Sequence, residues 1–267
     1  METLEGQKAV VTGGSRGLGL GIVEALAARK VRVTVVARDP GRLAGISKRL
    51  GVDVKRGDVA DESIARSVLE EVRPTILVLN AGITPPMGPV HELTWESFSQ
   101  AWNVDVKAGF HWIQQAIRLP LPRGSRVIVG SSGAAVNGSP LSGGYAGAKR
   151  MLWLMAAYAN EVATTLDLGI HFQAIVPQQI IGDTDLGRTA AETYARRRGV
   201  SLEAFLAGFG APMPPRKVGD HVVAILADPR YAKGVAFGMQ STAPRRQSPA
   251  TPSELPTGLT VVVKKSI

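Results

Sequence analysis

Thr12-Gly13-Gly14-Ser15-Arg16-Gly17-Leu18-Gly19 follows a short apolar run, Lys8 to Thr12, and leads into Leu18 to Ala28, where apolar residues recur at helical spacing. A strand, a glycine-rich turn and a helix in that order form a phosphate cradle. The glycines permit a tight turn and close approach of backbone to a pyrophosphate, and the free N–H groups of the first helical turn face the anion. A glycine-rich turn also serves many purely structural connections; its place after the first strand favours a dinucleotide. Gly13, Ser15, Arg16, Gly17, Leu18 and Gly19 are the residues expected to line it.

The next apolar run, Val31 to Ala37, ends Val35-Val36-Ala37-Arg38. A site for NAD usually carries a carboxylate here for the ribose 2′-hydroxyl. Ala37 is small and uncharged, Arg38 follows it, and Arg16 sits in the turn close to the same ribose. Two guanidiniums can fork onto a 2′-phosphate that a carboxylate would repel. Either arginine alone is more often a solvated surface residue; together they point to NADP(H).

Outward from this unit the same rhythm continues. Val52 to Lys55 and Thr75 to Leu79 are further apolar runs, with helical stretches at Arg42 to Leu50 and Ser63 to Val72. A long helix is expected over about Trp95 to Leu119, then a strand at Arg126 to Val129, a helix at Tyr145 to Leu166 and a strand at His171 to Val176. Short, continuously apolar strands separated by helices indicate a parallel sheet buried on both faces. The expected fold is α/β, a Rossmann-like doubly wound seven-stranded parallel sheet within one domain over residues 1–242. Two regions break the rhythm. Asp183 to Pro215 reads as short amphipathic helices, a small substrate lid with Leu202, Phe205, Leu206, Phe209 and Met213 as its apolar side. The tail, residues 243–267, is rich in Pro and Ser and is not expected to pack before Val261-Val262-Val263.

Composition narrows the function. The 267 residues carry 31 Lys and Arg against 22 Asp and Glu, net +9, without a single cysteine. Disulfides and thiolate chemistry are therefore excluded, and a cytoplasmic setting is expected. No apolar stretch reaches the length of a membrane span, and no export signal is visible at Met1 to Gly6. The charges are scattered apart from Arg196-Arg197-Arg198, with no stripe of interleaved aromatics, so nucleic acid is not an expected partner. A phosphorylated cofactor accounts for part of the excess more simply.

Further motifs occur in a fixed order: Asn80-Ala81-Gly82 after the fourth strand, Ser131-Ser132 after the fifth, and Tyr145-Ala146-Gly147-Ala148-Lys149 13 residues beyond Ser132. With the Gly turn and Pro177 after the sixth strand, the chain resembles the short-chain dehydrogenase/reductase superfamily over about Gln7 to Met239. The resemblance implies a nicotinamide-dependent oxidoreductase acting on a small carbonyl or alcohol, without a metal. It implies Ser132, Tyr145 and Lys149 as the reacting centre. It places Asp58 and Val59 near the adenine, and Asn80, Ala81, Gly82, Pro177 and Ile180 along the cofactor. It also implies a homo-oligomer, tetramer or dimer, joined through the helices at Trp95 to Leu119 and Tyr145 to Leu166. Exposed Trp102, Trp112, Trp153 or Met155 would then be covered by a partner.

The residues support this chemistry on their own. Tyr145 and Lys149 are i and i+4 and share one helix face. A phenol holds its proton at neutral pH, and a nearby ammonium favours the phenolate. Tyr145 can then give a proton to a carbonyl oxygen, while Ser132 hydrogen-bonds the same oxygen.

Three departures from the family pattern stand out. Counting from Phe98 and to Phe110 puts Asp105 where the family has an asparagine that holds a relay water, with Asn103 the other candidate. An ionised aspartate accepts from such a water but cannot donate to it. The turn after Pro177 has Gln178 for a glycine and Gly182 for a threonine, with Thr184 two residues late. The chain also continues past Gly238-Met239-Gln240. A nonenzymatic NADP-binding regulator on the same fold is the alternative that these departures leave open.

Overall fold

In the computed structural model, which describes residues 3–208, 211–240 and 245–246, eight strands form one sheet in the order β3-β2-β1-β4-β5-β6-β7-β8. They are β1 (Lys8–Thr12), β2 (Arg32–Ala37), β3 (Asp53–Arg56), β4 (Ile76–Leu79), β5 (Arg126–Gly130), β6 (His171–Pro177), β7 (Ala236–Met239) and β8 (Arg245–Arg246). The first seven are parallel, as the alternation of apolar runs and helices indicates. β8 adds an antiparallel edge, Arg246 opposite Phe237 and Arg245 opposite Gly238. The tail thus joins the sheet earlier than expected, because ladder bonds use backbone groups that every residue except Pro can offer. Val261-Val262-Val263 lies outside the described residues.

Each central strand feeds two cores. Val11, Val35, Val78, Ile128 and Ile175 belong to one apolar cluster; their neighbours Val10, Val36, Leu77, Val127 and Ala174 belong to the other. Successive side chains on a strand point to opposite faces, so a strand apolar throughout must be covered on both sides. The first face is covered by α1 (Gly17–Ala27), α2 (Pro40–Leu50) and α10 (Pro215–Ala227). The second is covered by α3 (Glu62–Val72), α5 (Lys107–Arg118) and α7 (Tyr145–Thr165). Local chemistry sets the helix ends: Asp39 caps α2 by accepting from the Arg42 N–H, Pro40 starts it, and left-handed Gly51 ends it.

Helices α1 and α10 approach more closely than side chains would allow. A Cβ at Gly21 would lie 2.3 Å from the Pro215 carbonyl carbon, and one at Gly219 would lie 2.2 Å from the Gly21 oxygen. This contact fixes α1, and with it the glycine-rich turn, against the sheet.

The helix expected over Trp95 to Leu119 is interrupted. It comprises α4 (Trp95–Ala101), a π turn (Trp102–Val106) and α5. Of the four residues expected to await a partner, three are already in the chain's own core: Trp112 is 0% exposed, Trp153 2% and Met155 9%, whereas Trp102 is 39% exposed. The helical period cannot tell burial against the sheet from burial against another subunit. The short helix α6 (Ala134–Asn137) follows β5, and α8 (Asp185–Arg198) and α9 (Leu202–Ala207) occupy the stretch expected to hold short amphipathic helices. Met213 is a core residue rather than part of a lid. It is fully buried in the cluster of the first face, and its N–H donates to the Ile180 carbonyl at 2.8 Å. Phe205 is buried and stacks on Tyr194, and Phe209 lies outside the described residues. Among the described residues no helix is long and apolar enough to cross a membrane, and no group of three or more His, Asp or Glu is placed to hold a metal ion.

Candidate active site

At the carboxyl end of β1 the backbone turns through Gly13 at φ +66 and Gly17 at φ +52, conformations natural to glycine. The turn packs tightly on Asn80-Ala81: a Cβ at Gly13 would lie 2.7 Å from the Ala81 Cα, and one at Gly19 would lie 2.5 Å from Asn80 Nδ2. Thr12 ties these segments together. Its hydroxyl donates to the Val78 carbonyl at 3.3 Å and accepts from the N–H groups of Asn80 (3.1 Å) and Ala81 (3.2 Å). Thr12 heads the glycine-rich motif, but the tie from its hydroxyl to Asn80-Ala81 exists only because β1 and β4 are neighbours in the sheet.

Beyond Gly82 lies a buried ion pair. Lys149 Nζ is 3.1 Å from Asp105 Oδ2, with the two side chains 7% and 0% exposed. Asp105 Oδ1 accepts from the Ile83 N–H at 2.9 Å. A Cβ at Gly82 would stand 2.7 Å from Asp105 Oδ2 and 3.2 Å from Lys149 Nζ, so only glycine leaves the pair intact. The π turn carries Asp105 to this place, as such turns often do at functional sites. Asn103 is exposed and donates to Ser99 Oγ. Burial pulls the Lys149 pKa down, but the charges of Asp105 and Tyr145 pull harder the other way and hold it above its ordinary 10.5.

Tyr145, at the start of α7, is buried, with Lys149 Nζ 5.6 Å from its ring centroid. Two serines close β5 differently. Ser131 is buried and donates to the Lys149 carbonyl at 2.8 Å, clamping α7 to the sheet. Ser132 is half-buried, and its Oγ accepts from the Ala134 N–H at 3.2 Å.

Helix α8 roofs this centre. Thr184 caps it, accepting from the Gly187 N–H, and the Thr184 methyl would lie 3.3 Å from a Cβ at Gly17. Leu186 packs on the cluster that contains Tyr145 and Ala148. The Tyr194 hydroxyl pairs with Ser139 Oγ at 2.9 Å and accepts from the Leu141 N–H at 3.1 Å, fastening α8 to the segment that precedes Tyr145. The Asp185 carboxylate pairs with Arg16, so the guanidinium read as a phosphate ligand is bound to the roof.

The family model for short chain dehydrogenases matches residues 7–195, the span that holds every one of these motifs. The chain belongs to this family. It is similar to L-xylulose reductase of Mesocricetus auratus, 30% identical over 193 residues, 70% of this chain and 76% of that protein. It is similar also to 3-oxoacyl-acyl-carrier-protein reductase of Escherichia coli, 31% identical over 201 residues, 70% and 78% of the two chains. Among solved structures, L-sorbose reductase from Gluconobacter frateurii, complexed with NADPH and L-sorbose, shares the fold with TM-score 0.73. It is 23% identical, and the match covers 90% of this chain and 98% of that one.

For a short chain dehydrogenase the residues present fit a nicotinamide dinucleotide. Gly13 and Gly17 place no Cβ at the two left-handed positions of the turn, and a side chain at Gly17 would fill the gap beneath Thr184. Ser15 and Leu18 lie half-buried in the turn, Leu18 packing on the first core. Arg38 is exposed and forms no ion pair among the described residues. Asp58 is exposed and accepts from the Ala60 N–H, while buried Val59 accepts the Trp112 indole N–H at 3.0 Å. The Pro177 carbonyl accepts from the Gly133 N–H at 2.7 Å and so joins the ends of β5 and β6. Ile180 packs toward Phe205 and Ala191. The late threonine, Thr184, is the one that faces the glycine-rich turn; Gly182 lies against Pro212 instead.

Proposed function

We propose that the protein is an NADP(H)-dependent oxidoreductase that interconverts a carbonyl and an alcohol, with Tyr145 exchanging the proton on the substrate oxygen. The observation that carries this reading is the buried Lys149 ammonium, paired with Asp105 at 3.1 Å and set below the Tyr145 ring. A charge taken that far from water is expensive unless it is paired, and here the pair stands beside Tyr145. The ammonium stands beside Tyr145, whose hydroxyl would give its proton to a carbonyl oxygen. Ser132 stabilises the charge that develops on that oxygen. Asp105 keeps Lys149 charged and aimed; as a carboxylate it accepts from a water and does not donate to it. The turn from Gly13 to Gly19 with Asn80-Ala81-Gly82 would hold the dinucleotide, which supplies the hydride when bound. Arg16 and Arg38 would take its 2′-phosphate. The relatives include reductases and dehydrogenases by name, which supports carbonyl–alcohol interconversion.

A homo-oligomer is part of this proposal. Phe110 on α5 and Tyr158 and Val162 on α7 are 48%, 53% and 41% exposed, apolar surface on the helices expected to meet a partner.

The test is a titration of NADPH and NADH, followed by initial rates with a panel of small ketones and keto sugars. One charge-assisted fork contributes roughly 1.5–3 kcal/mol, so NADPH should bind at least about tenfold more tightly. Equal affinity for the two cofactors would refute the cofactor assignment, and no turnover with any carbonyl would refute the reaction.

A further inference from the structure

The ion pair between Arg16 and Asp185 sets the proposed cofactor site against its own roof. Arg16 lies in the turn after β1 and Asp185 in the first turn of α8, with side chains 53% and 51% exposed. Asp185 has a second cation on its own helix, Arg188, at 3.6 Å. One carboxylate is thus shared between a guanidinium of the phosphate turn and a guanidinium of the lid.

We propose that Asp185 is a determinant of cofactor choice: it competes with the 2′-phosphate of a dinucleotide for Arg16 and so restrains the preference for the phosphorylated form. The inference rests on the reading of Arg16 as a 2′-phosphate ligand given above. Arg16 donates from Nη1 to Asp185 Oδ2, so the carboxylate engages one arm of the planar fork and places a negative charge where a phosphate would approach the rest of it. Binding the phosphorylated cofactor as a two-armed fork therefore works against the pair with Asp185. A cofactor with a bare ribose hydroxyl leaves the pair as it is.

The exchange is cheap for Asp185, for two reasons visible in the structure. Arg188 remains beside it, and the start of a helix favours a negative charge. Both side chains are half in water, so the restraint is modest. An exposed pair contributes up to about fivefold in an equilibrium constant. Asp185 tunes the preference without abolishing it.

The experiment follows nicotinamide fluorescence while NADPH and NADH are titrated into the full-length protein and four variants: Asp185→Asn, Arg188→Ala, Arg16→Ala, and Arg16→Ala with Asp185→Asn. All the altered side chains are exposed, and thermal melts matching the unaltered protein establish that each variant is folded. Asp185→Asn should tighten NADPH by up to about fivefold and leave NADH unchanged. Arg188→Ala, which leaves Asp185 with Arg16 alone, should weaken NADPH. In the Arg16→Ala background Asp185→Asn should have no effect. Equal tightening of both cofactors would overturn the proposal, because Asp185 would then be repelling the diphosphate they share. Weaker NADPH binding by Asp185→Asn would overturn it too, since the carboxylate would then be orienting Arg16 for the phosphate. If Arg16→Ala loses NADPH affinity while Asp185→Asn changes nothing, the cofactor reading stands and only the competition falls. If Arg16→Ala leaves NADPH affinity intact, both fall.

Discussion

Replacing Asp105 with alanine removes the carboxylate that neutralises Lys149. The pair is 3.1 Å apart with side chains 7% and 0% exposed, so water cannot take over the lost role. Breaking a buried pair by deleting one member costs about 3–5 kcal/mol. The Ile83 N–H loses its acceptor as well, a loss that overlaps with the first because one carboxylate serves both. In a domain of this size each kcal/mol moves the melting temperature by about 2–4 °C, so Asp105→Ala should melt roughly 6–20 °C lower at neutral pH. The difference should depend on pH. With Asp105 present the folded-state pKa of Lys149 lies above its ordinary 10.5, so the pair's contribution is complete below 10.5 and is lost only as pH rises through the folded value. In Asp105→Ala burial is no longer outweighed, the folded value drops, and the variant gains stability as pH rises toward 10.5. The gap between the two proteins should therefore narrow in alkali. Asp105→Asn, which keeps an oxygen for the Ile83 N–H, should fall between them and shift the pH profile of activity. Thermal melts at neutral pH and near pH 10 provide the test. Melting within about 2 °C of the unaltered protein, or a gap of equal size at both pH values, would refute the reasoning.

Two further consequences concern stability. Gly21→Ala places a Cβ 2.3 Å from Pro215 backbone atoms that cannot rotate away, so α1 and α10 must separate; overpacking of this kind costs about 1–3 kcal/mol, and an unchanged urea midpoint would refute the close contact. His171 and His221 are held below their ordinary 6.5, in both cases first by burial, which outweighs acceptance by the Gly234 and Gln240 carbonyls. The unfolded chain therefore binds more protons as pH falls below 6.5, so the stability these groups allow above 6.5 is lost on acidification. The urea midpoint should be lower at about pH 5.5 than at about pH 7.5, and equal midpoints would count against neutral imidazoles at half-buried His171 and buried His221.

The sheet was legible in the sequence because its central strands are apolar on both faces and helices such as α2 carry ordinary caps, Asp39 with Pro40. Asp105 was legible as well: counting from Phe98 and to Phe110 selected it over Asn103, and it is Asp105 that reaches Lys149. The π turn that carries it there was not, because a helical period read at 3.6 residues per turn does not register one wider turn. The clasp of Gly21 on Gly219 was hidden for another reason. Each glycine looks ordinary in its own helix, and only the fold brings the two helices together. The same holds for Arg16 and Asp185, 169 residues apart, one in a turn and the other at the head of a lid helix with weak patterning. Contacts of this sort depend on tertiary placement that local spacing does not encode. The three aromatic and sulfur side chains expected at a subunit boundary show the converse error: apolar character was read correctly, and its partner was not.

The central claim is that Tyr145 moves the proton. Tyr145→Phe keeps the ring that packs with Ala101 and Ala148 and removes only the hydroxyl. Single-turnover reduction of a carbonyl substrate by the NADPH-loaded variant, with NADPH affinity measured on the same preparation, tests this directly. General acid catalysis contributes roughly 10²–10⁴-fold, so the rate should fall by about that factor while NADPH binds as before. A variant that retains most of its rate with a good substrate would contradict the account.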